Sequence, residues 1–159
     1  MLLIRSATVN DAALLRTLIR ELAEFERELD FCVIEESALA RDGFGDNPKF
    51  RALIAERDRQ TAGYALFFPS YSTWIGPTLY LEDLFVRAQF RGQGIGRTLL
   101  SAVARIALQE NCRALGWEVL DWNETAIAFY KSLGAELRDQ WTSVSLAGAA
   151  LRRLAEEAS

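Results

Sequence analysis

The stretch VRAQFRGQGIGRTLL, residues 86–100, contains a glycine-rich segment followed by the pattern of a helix. Three of five consecutive residues are glycines, Gly92, Gly94 and Gly96, and an apolar helical pattern follows them. Glycines that open a helix leave its backbone N–H groups bare, and these groups attract anions together with the helix dipole. The stretch therefore predicts an anion-binding turn between a strand and a helix.

Several interpretations of this glycine-rich turn compete. In a dinucleotide-binding fingerprint Glu118 would be the ribose-binding acid. The third glycine comes one residue early, however, and three consecutive predicted strands, residues 50–56, 61–71 and 78–86, stand before the turn where that fold expects alternating strands and helices. A Walker loop needs a lysine at the position where Arg97 follows Gly96. A plain connecting turn would need only one glycine. The pattern favours a pyrophosphate cradle, to which Arg91 and Arg97 add charged donors.

The residue patterns on either side of the turn predict an α+β chain. Predicted strands span residues 2–5, 50–56, 61–71, 78–86 and 115–120, and predicted helices span residues 8–28, 36–45, 94–110 and 121–135. Thr8 and Asn123 are predicted N-caps, and Gly134 is a predicted helix stop. Residues 135–138 and 142–146 are predicted to form a final hairpin. This order indicates one domain, residues 1–159, with a mixed, mostly antiparallel central sheet flanked by helices.

Composition narrows the chemistry that the chain can perform. Its 159 residues carry a formal net charge of −4 and include no histidine and two cysteines, Cys32 and Cys112. The charge disfavours a nucleic-acid or anionic-membrane partner and favours a cationic small ligand. The lack of histidine excludes histidine metal sites and histidine bases, and no metal is expected. Since no signal-peptide or membrane-span pattern is present, a cytoplasmic location is expected.

The motif Arg91-x-x-Gly94-x-Gly96 after a strand is similar to the coenzyme A motif of the GNAT superfamily of N-acetyltransferases. Other segments resemble the diamine acetyltransferase branch, the spermidine/spermine and thialysine enzymes. They are YLEDLFVRAQFRGQGIG, LDWNETAIAFYKSLGA, IRELAEFE, DGFGDNP and WIGPTLYLED. The resemblance extends from about residue 4 to residue 141. It implies the GNAT fold, with a V-shaped opening between the fourth and fifth strands at residues 82–86 and 117–120, and a homodimer.

The same resemblance implies an acetyl-CoA site. The backbone of residues 84–86 would hold the pantetheine arm like an added strand, and the glycine-rich turn would hold the pyrophosphate. The implied cofactor contacts are Leu84, Phe85, Val86, Arg91, Gly92, Gln93, Gly94, Ile95, Gly96, Arg97, Asn123, Tyr130 and Lys131.

Two residues are candidates for the proton transfers of amine acetylation. A lysine-like amine has a pKa near 10.4, so only about 0.04% is neutral at pH 7 and a base must take its proton. Glu82 and Asp83 are adjacent in a largely apolar strand. At least one of them is expected to be partly buried, where it would either bridge to an arginine or serve the substrate. The resemblance implies that Glu82 is the base, acting through water, and that Tyr130 is the general acid.

Acidic residues indicate a small cationic amine as the acceptor. The candidate substrate contacts are Phe25, Glu26, Glu82, Asp83, Glu118 and Asp121, with Trp74 and Trp122 as faces for a cation. Gly116 stands where the polyamine enzymes carry a histidine, so a lysine-like amine or short diamine is as plausible a substrate as spermidine. The alternatives are a GNAT enzyme that acetylates protein N-termini or lysines, and a non-catalytic acyl-CoA-binding regulatory domain.

Overall fold

A computed structural model describes residues 1–157 of the chain. The strands are β1 (Leu2–Ser6), β2 (Arg51–Arg57), β3 (Gln60–Ser72), β4 (Gly76–Val86) and β5 (Leu115–Gly116). The helices are α1 (Ala12–Phe25), α2 (Glu36–Phe44), α3 (Ile95–Gln109), α4 (Glu124–Ser132) and α5 (Gly148–Glu156). The chain divides after Leu120 into two compact units, and the prediction of a single domain stays a prediction.

The first unit is built on a sheet with the strand order β1-β2-β3-β4-β5. The first three pairings are antiparallel and the β4–β5 pairing is parallel, which confirms the predicted mixed, mostly antiparallel sheet. The β4–β5 ladder consists of Leu79 opposite Leu115 and Tyr80 opposite Gly116. Beyond these pairs β4 continues to Val86 without a β5 partner, at the place where the opening between the two strands was expected.

Helix α1 is fixed to the sheet at its start by a buried carboxylate. The backbone N–H of Thr8 donates to Asp11 at 2.8 Å, and Arg5 of β1 donates twice to the same carboxylate, at 2.9 and 2.8 Å. Thr8 precedes a 3-10 turn at Val9–Asp11 and the N-cap of α1 is Asp11, so the prediction of Thr8 as the cap of this helix is wrong. The Arg5 guanidinium lowers the pKa of Asp11 to about 2. From this start the apolar stripe of α1 packs on one face of the sheet. The buried residues of this cluster are Leu15, Leu18, Leu22, Leu39, Ala52, Tyr64, Leu66 and Phe85.

A β-bulge in β4 changes which residues face these helices. Leu66 pairs with Asp83, but the next residue, Phe67, pairs with Leu81, so Glu82 is the extra residue. Because directly opposed residues share a face, Asp83 lies on the face of Leu66, towards α1 and α2, while Leu81 lies on the opposite face. The two adjacent carboxylates of β4, Glu82 and Asp83, therefore lie at the bulge, where the regular alternation of side chains between the two faces is interrupted.

The second unit contains α4 and α5. The Asn123 side chain accepts a hydrogen bond from the N–H of Ala126 at 3.2 Å, as predicted for an N-cap. Gly134 ends the α4 segment with φ +85°, and the N–H groups of Gly134 and Ala135 return to the carbonyls of Lys131 and Tyr130. These bonds satisfy the last carbonyls of the helix, as the predicted glycine stop requires.

Several predicted elements differ from the structure. The helix expected at residues 8–28 is α1, which begins at Ala12 and ends at Phe25. The strand expected at residues 115–120 is limited to Leu115–Gly116, and residues 135–146 contain no strand where a final hairpin was expected. Helix α5 was not anticipated, although its alanine, leucine, arginine and glutamate content favours a helix. No helix within residues 1–157 has the length and apolarity needed to cross a membrane.

Candidate active site

The turn before α3 has the open geometry that an anion cradle needs. Gly94 is the N-cap of α3 with φ +77°, and Gly92 has φ +72°. No heavy atom beyond the chain neighbours lies within 4 Å of the position that a Cβ would occupy at either glycine. The first N–H groups of a helix have no partner within that helix, so those of α3 are available to a ligand at this open turn. The residues present therefore fit a pyrophosphate group.

The two arginines of the turn differ in their surroundings. Arg91 donates from Nε to the Val86 carbonyl at 2.9 Å, and its guanidinium carbon lies 4.6 Å from the centre of the Phe25 ring. Arg91 thus joins the turn to the end of α1, where Phe25 and the next residue, Glu26, were expected to line the acceptor site. Arg97 lies in the first turn of α3 and is exposed.

The end of β4 has no neighbouring strand on the side of β5, and on it the Val86 carbonyl accepts the hydrogen bond from Arg91. Leu84, Phe85 and Val86 pair with β3 on one side, whereas the β5 ladder ends at Tyr80. An unpaired strand edge can bind an extended ligand through its N–H and carbonyl groups. The predicted contacts Leu84, Phe85 and Val86 therefore lie on an edge that suits such a ligand.

Glu82 and Asp83 have different environments. Glu82, the extra residue of the bulge, is exposed. Asp83 is half-buried and accepts a hydrogen bond of 2.7 Å from the Tyr64 hydroxyl, while Tyr64 itself is 0% exposed. The expectation of a partly buried carboxylate is confirmed for Asp83. Its partner is a tyrosine and not an arginine, and sequence reasoning had not singled out Tyr64.

Three carboxylates at this place lie close enough to repel one another. Burial and the charges of Glu82 and Glu26 raise the pKa of Asp83 to about 6, against the opposing hydrogen bond from Tyr64. Burial also raises the pKa of Glu26, with contributions from Glu28 and Glu82. Among residues 1–157, no arginine or lysine forms an ion pair with Glu26, Glu82 or Asp83. We call these three residues the acidic cluster, and its charge favours a cationic ligand.

Glu118 follows β5, and the Tyr80 hydroxyl of β4 is affected by the charges of both Glu118 and Glu82, a member of the acidic cluster. The pKa of the Tyr80 hydroxyl is raised by burial and by the charges of Glu118 and Glu82. The structure thus brings together Glu26, Glu82 and Asp83 and links Glu118 to them through Tyr80. Trp74, proposed as a cation face, is 84% exposed in the turn between β3 and β4.

The remaining predicted site residues belong to the second unit. Asp121 and Lys131 are exposed, and Lys131 lies in the last turn of α4. Asn123 uses its side chain as the helix cap, and the Tyr130 ring is 5.3 Å from that of Phe129, centre to centre.

Comparison with known proteins gives a consistent result. The family model described as the acetyltransferase (GNAT) family matches residues 13–135. A thialysine N-epsilon-acetyltransferase of Sus scrofa is 42% identical over 164 residues, covering 96% of each chain. A spermidine/spermine N(1)-acetyltransferase-like protein of Homo sapiens is 40% identical over 139 residues, 83% of this chain and 20% of that protein. An integron cassette protein from the mobile metagenome of V. cholerae has a similar structure, with a TM-score of 0.80, 28% identity and 98% coverage of both chains.

The family match covers most of the chain, and the similarity to the porcine enzyme extends over nearly its full length. The chain shares its fold with the V. cholerae protein over nearly the full length of both. These findings show that the chain is an acetyltransferase and belongs to the GNAT family.

Proposed function

We propose that this acetyltransferase transfers an acetyl group from acetyl-CoA to a primary amine of a small cationic substrate. The observation that carries the proposal is the acidic cluster of Glu26, Glu82 and Asp83, which has no basic partner among the described residues. Half-buried carboxylates that repel one another are stabilised by a bound cation. The cluster lies on β4 and at the end of α1, which the contact between Phe25 and Arg91 joins to the open turn of α3.

Acetyltransferases of the GNAT family use acetyl-CoA, which supplies the acetyl group as a thioester. We assign its pyrophosphate to the turn from Arg91 to Arg97, because Gly92 and Gly94 leave the α3 N-terminus open. The free edge of β4 would hold the pantetheine arm through backbone groups. Asn123 and Lys131 are proposed as further contacts on the resemblance alone.

Glu82 is proposed as the group that removes the proton of the substrate ammonium. Deprotonating a lysine-like amine at pH 7 costs about 4.6 kcal/mol, and a positioned base contributes roughly 10²- to 10⁴-fold to such a step. Glu82 is exposed at the bulge and has no ion-pair partner within residues 1–157, so its carboxylate is free to act through a water molecule. Tyr130 is proposed, from the resemblance, to return a proton to the leaving sulfur.

The relatives support a small-amine acceptor. Their names specify thialysine and spermidine or spermine, which are amines that carry more than one nitrogen. We therefore propose a diamine, a polyamine or a thialysine- or lysine-like amine as the substrate. A protein N-terminus or lysine is the second candidate. The acidic cluster favours the small cation, because a small diamine carries its positive charges with it, whereas a protein substrate would need further positive charges on its surface beside the acetylated amine.

The test is an assay of thiol release from acetyl-CoA with a panel of diamines, polyamines, thialysine, lysine and peptides. We expect turnover with one or more small cationic amines and the mass increase of one acetyl group on the product. Turnover with peptides alone would establish the second candidate. Binding of acetyl-CoA without acetylation of any panel member would refute the proposal.

Three further properties are proposed from the resemblance and the sequence. We propose that the enzyme is a homodimer in the cytoplasm and acts without a metal. Light scattering after size-exclusion chromatography measures the molecular mass of the assembly, and a monomeric mass would contradict the dimer. Activity that survives dialysis against a chelator would agree with a reaction that needs no metal.

A further inference from the structure

Tyr64 is a fully buried residue with a polar contact that the proposed mechanism does not use. It lies in the core between sheet and helices, with its ring 6.4 Å from that of Phe85, centre to centre, in an edge-on arrangement. Its hydroxyl donates to Oδ2 of Asp83 at 2.7 Å. Because packing fixes the ring, the hydroxyl holds the carboxylate from one defined direction.

The β-bulge makes this contact geometrically available. Tyr64 pairs with Phe85 and Leu66 pairs with Asp83, so Tyr64 and Asp83 are diagonal neighbours on one face of the β3–β4 ladder. Asp83 lies one residue from the exposed Glu82 and retains partial exposure. With Oδ2 bound to Tyr64, Oδ1 of Asp83 has no hydrogen bond among residues 1–157 and can accept one from a ligand.

We propose that Tyr64 is a positioning residue that orients the Asp83 carboxylate towards a second ammonium group of the acceptor. This inference rests on the proposed function and adds a division of labour to it. Glu82 serves the amine that is acetylated, and Asp83 binds the distant cationic nitrogen. The Tyr64–Asp83 pair thereby selects diamines over monoamines of the same length.

The electrostatics of the cluster agree with this role. The titratable groups that face Asp83 are Tyr64 of β3, Glu82 of β4 and Glu26 at the end of α1. The two glutamates disfavour an ionised Asp83, whereas the Tyr64 hydroxyl favours it, because a hydrogen bond to a carboxylate stabilises the charged form. A substrate with two positive charges compensates more of this cluster than a substrate with one.

The test compares butane-1,4-diamine with butylamine as acceptors for the full-length enzyme. We expect Tyr64→Phe to lower the ratio of kcat/KM for the diamine to that for the monoamine about tenfold, mainly through the KM of the diamine. The variant loses the hydrogen bond that lowers the pKa of Asp83, so the acidic limb of kcat/KM for the diamine should move to higher pH. A purely structural role would not move this limb. Tyr71→Phe is the matched control, since Tyr71 is exposed on the same strand, and it should leave the ratio unchanged.

Asp83→Asn provides a second variant that keeps an acceptor oxygen for Tyr64 but removes the charge. It should also lower the diamine to monoamine ratio about tenfold. An unchanged ratio in a folded Tyr64→Phe protein, or in Asp83→Asn if the first variant does not fold, would overturn the inference. A wild-type enzyme that acetylates both amines equally well would overturn it as well, while leaving the proposed function intact. The proposed function itself would be refuted by the absence of turnover with every small amine of the panel.

Discussion

Glu82 is an exposed side chain whose replacement should affect catalysis without affecting folding. As the extra residue of the bulge it faces no partner on β3, and it forms no ion pair within residues 1–157. We expect Glu82→Gln to lower kcat/KM by roughly 10²- to 10⁴-fold, the usual contribution of a general base. Its free energy of unfolding, from urea titration, should stay within about 0.5 kcal/mol of the wild-type value.

The control for this prediction is Glu36→Gln, which changes an exposed glutamate at the start of α2. It removes the same charge from the protein and should leave kcat/KM within twofold of the wild-type value. Near-normal turnover of Glu82→Gln would remove Glu82 from the mechanism and direct attention to another member of the acidic cluster.

Asp83 should make the stability of the native protein depend on pH. Its pKa in the native state is about 6, above the value of about 4 for an unfolded aspartate, so the native state binds the proton more tightly. The stability contributed by the protonated carboxyl is therefore present at low pH and is lost as the pH rises from about 4 to about 6. Asp83→Asn has no carboxyl group to ionise at this position and avoids this loss. Its free energy of unfolding minus that of the wild type should therefore be about 2 kcal/mol larger at pH 7.5 than at pH 4.5, which means that the variant gains stability relative to the wild type.

Urea titrations of both proteins at the two pH values measure this difference. Asp46→Asn, which replaces an exposed aspartate after α2, should show no comparable change with pH. A difference between Asp83→Asn and wild type that is the same at both pH values would contradict the native pKa of Asp83.

Among the elements, the start of α3 carries the sharpest prediction. Gly94→Ala places a Cβ at φ +77°, which costs about 1 kcal/mol of stability, and directs it into the open turn where the pyrophosphate is proposed to bind. We expect the dissociation constant of CoA, measured by calorimetry, to rise at least tenfold. Gly76→Ala at the start of β4 has the same backbone cost, with φ +93° and open space around its Cβ, and should leave CoA binding unchanged. Equal affinity of the two variants would show that CoA does not use this turn.

The elements that the sequence predicts well are those with local signals. The cap of α4 and the glycine turn of α3 depend on residues within four positions of one another, and the structure confirms them. Strand β5 and the absent final hairpin depend on partners far along the chain. A strand forms only where another strand accepts its hydrogen bonds, and β4 does so for β5 at two positions only. An alternating pattern therefore predicts a strand at residues 142–146 that the fold does not pair.

In the candidate site, too, features formed by adjacent residues can be predicted from the sequence, whereas contacts between distant residues cannot. The motif around Gly94 and the acidic pair Glu82-Asp83 are visible in the sequence, because each is a run of adjacent residues. The contact of Tyr64 with Asp83 is not visible, since it depends on the register of β3 and β4 and on the position of the bulge between them. The only local signal is a tyrosine within an apolar strand, and such tyrosines are common in cores.

For the whole molecule, the proposed cosubstrate should be linked to stability. A ligand that binds only the native state stabilises it by about 2.7 kcal/mol at a concentration of 100 times its Kd. For a protein of 159 residues this corresponds to a rise in Tm of roughly 5–10 °C. We expect acetyl-CoA to raise Tm by this amount in a thermal-shift experiment, and Gly94→Ala to show a smaller rise at the same concentration. An unchanged Tm of the wild-type protein at saturating acetyl-CoA would contradict binding to the native fold.

The extra residue in β4 also bears on how this chain can evolve. Deleting Glu82 would leave Asp83 opposite Leu66 and Leu81 opposite Phe67, which is a regular antiparallel register, so the other side chains of β4 would keep their sides of the sheet. Leu81 and Phe85 would stay buried, and only the exposed carboxylate of the bulge would be lost. A lineage that loses this codon should therefore keep its fold and lose its proposed base, whereas the loss of a codon elsewhere in β4 would turn core side chains to the opposite side of the sheet.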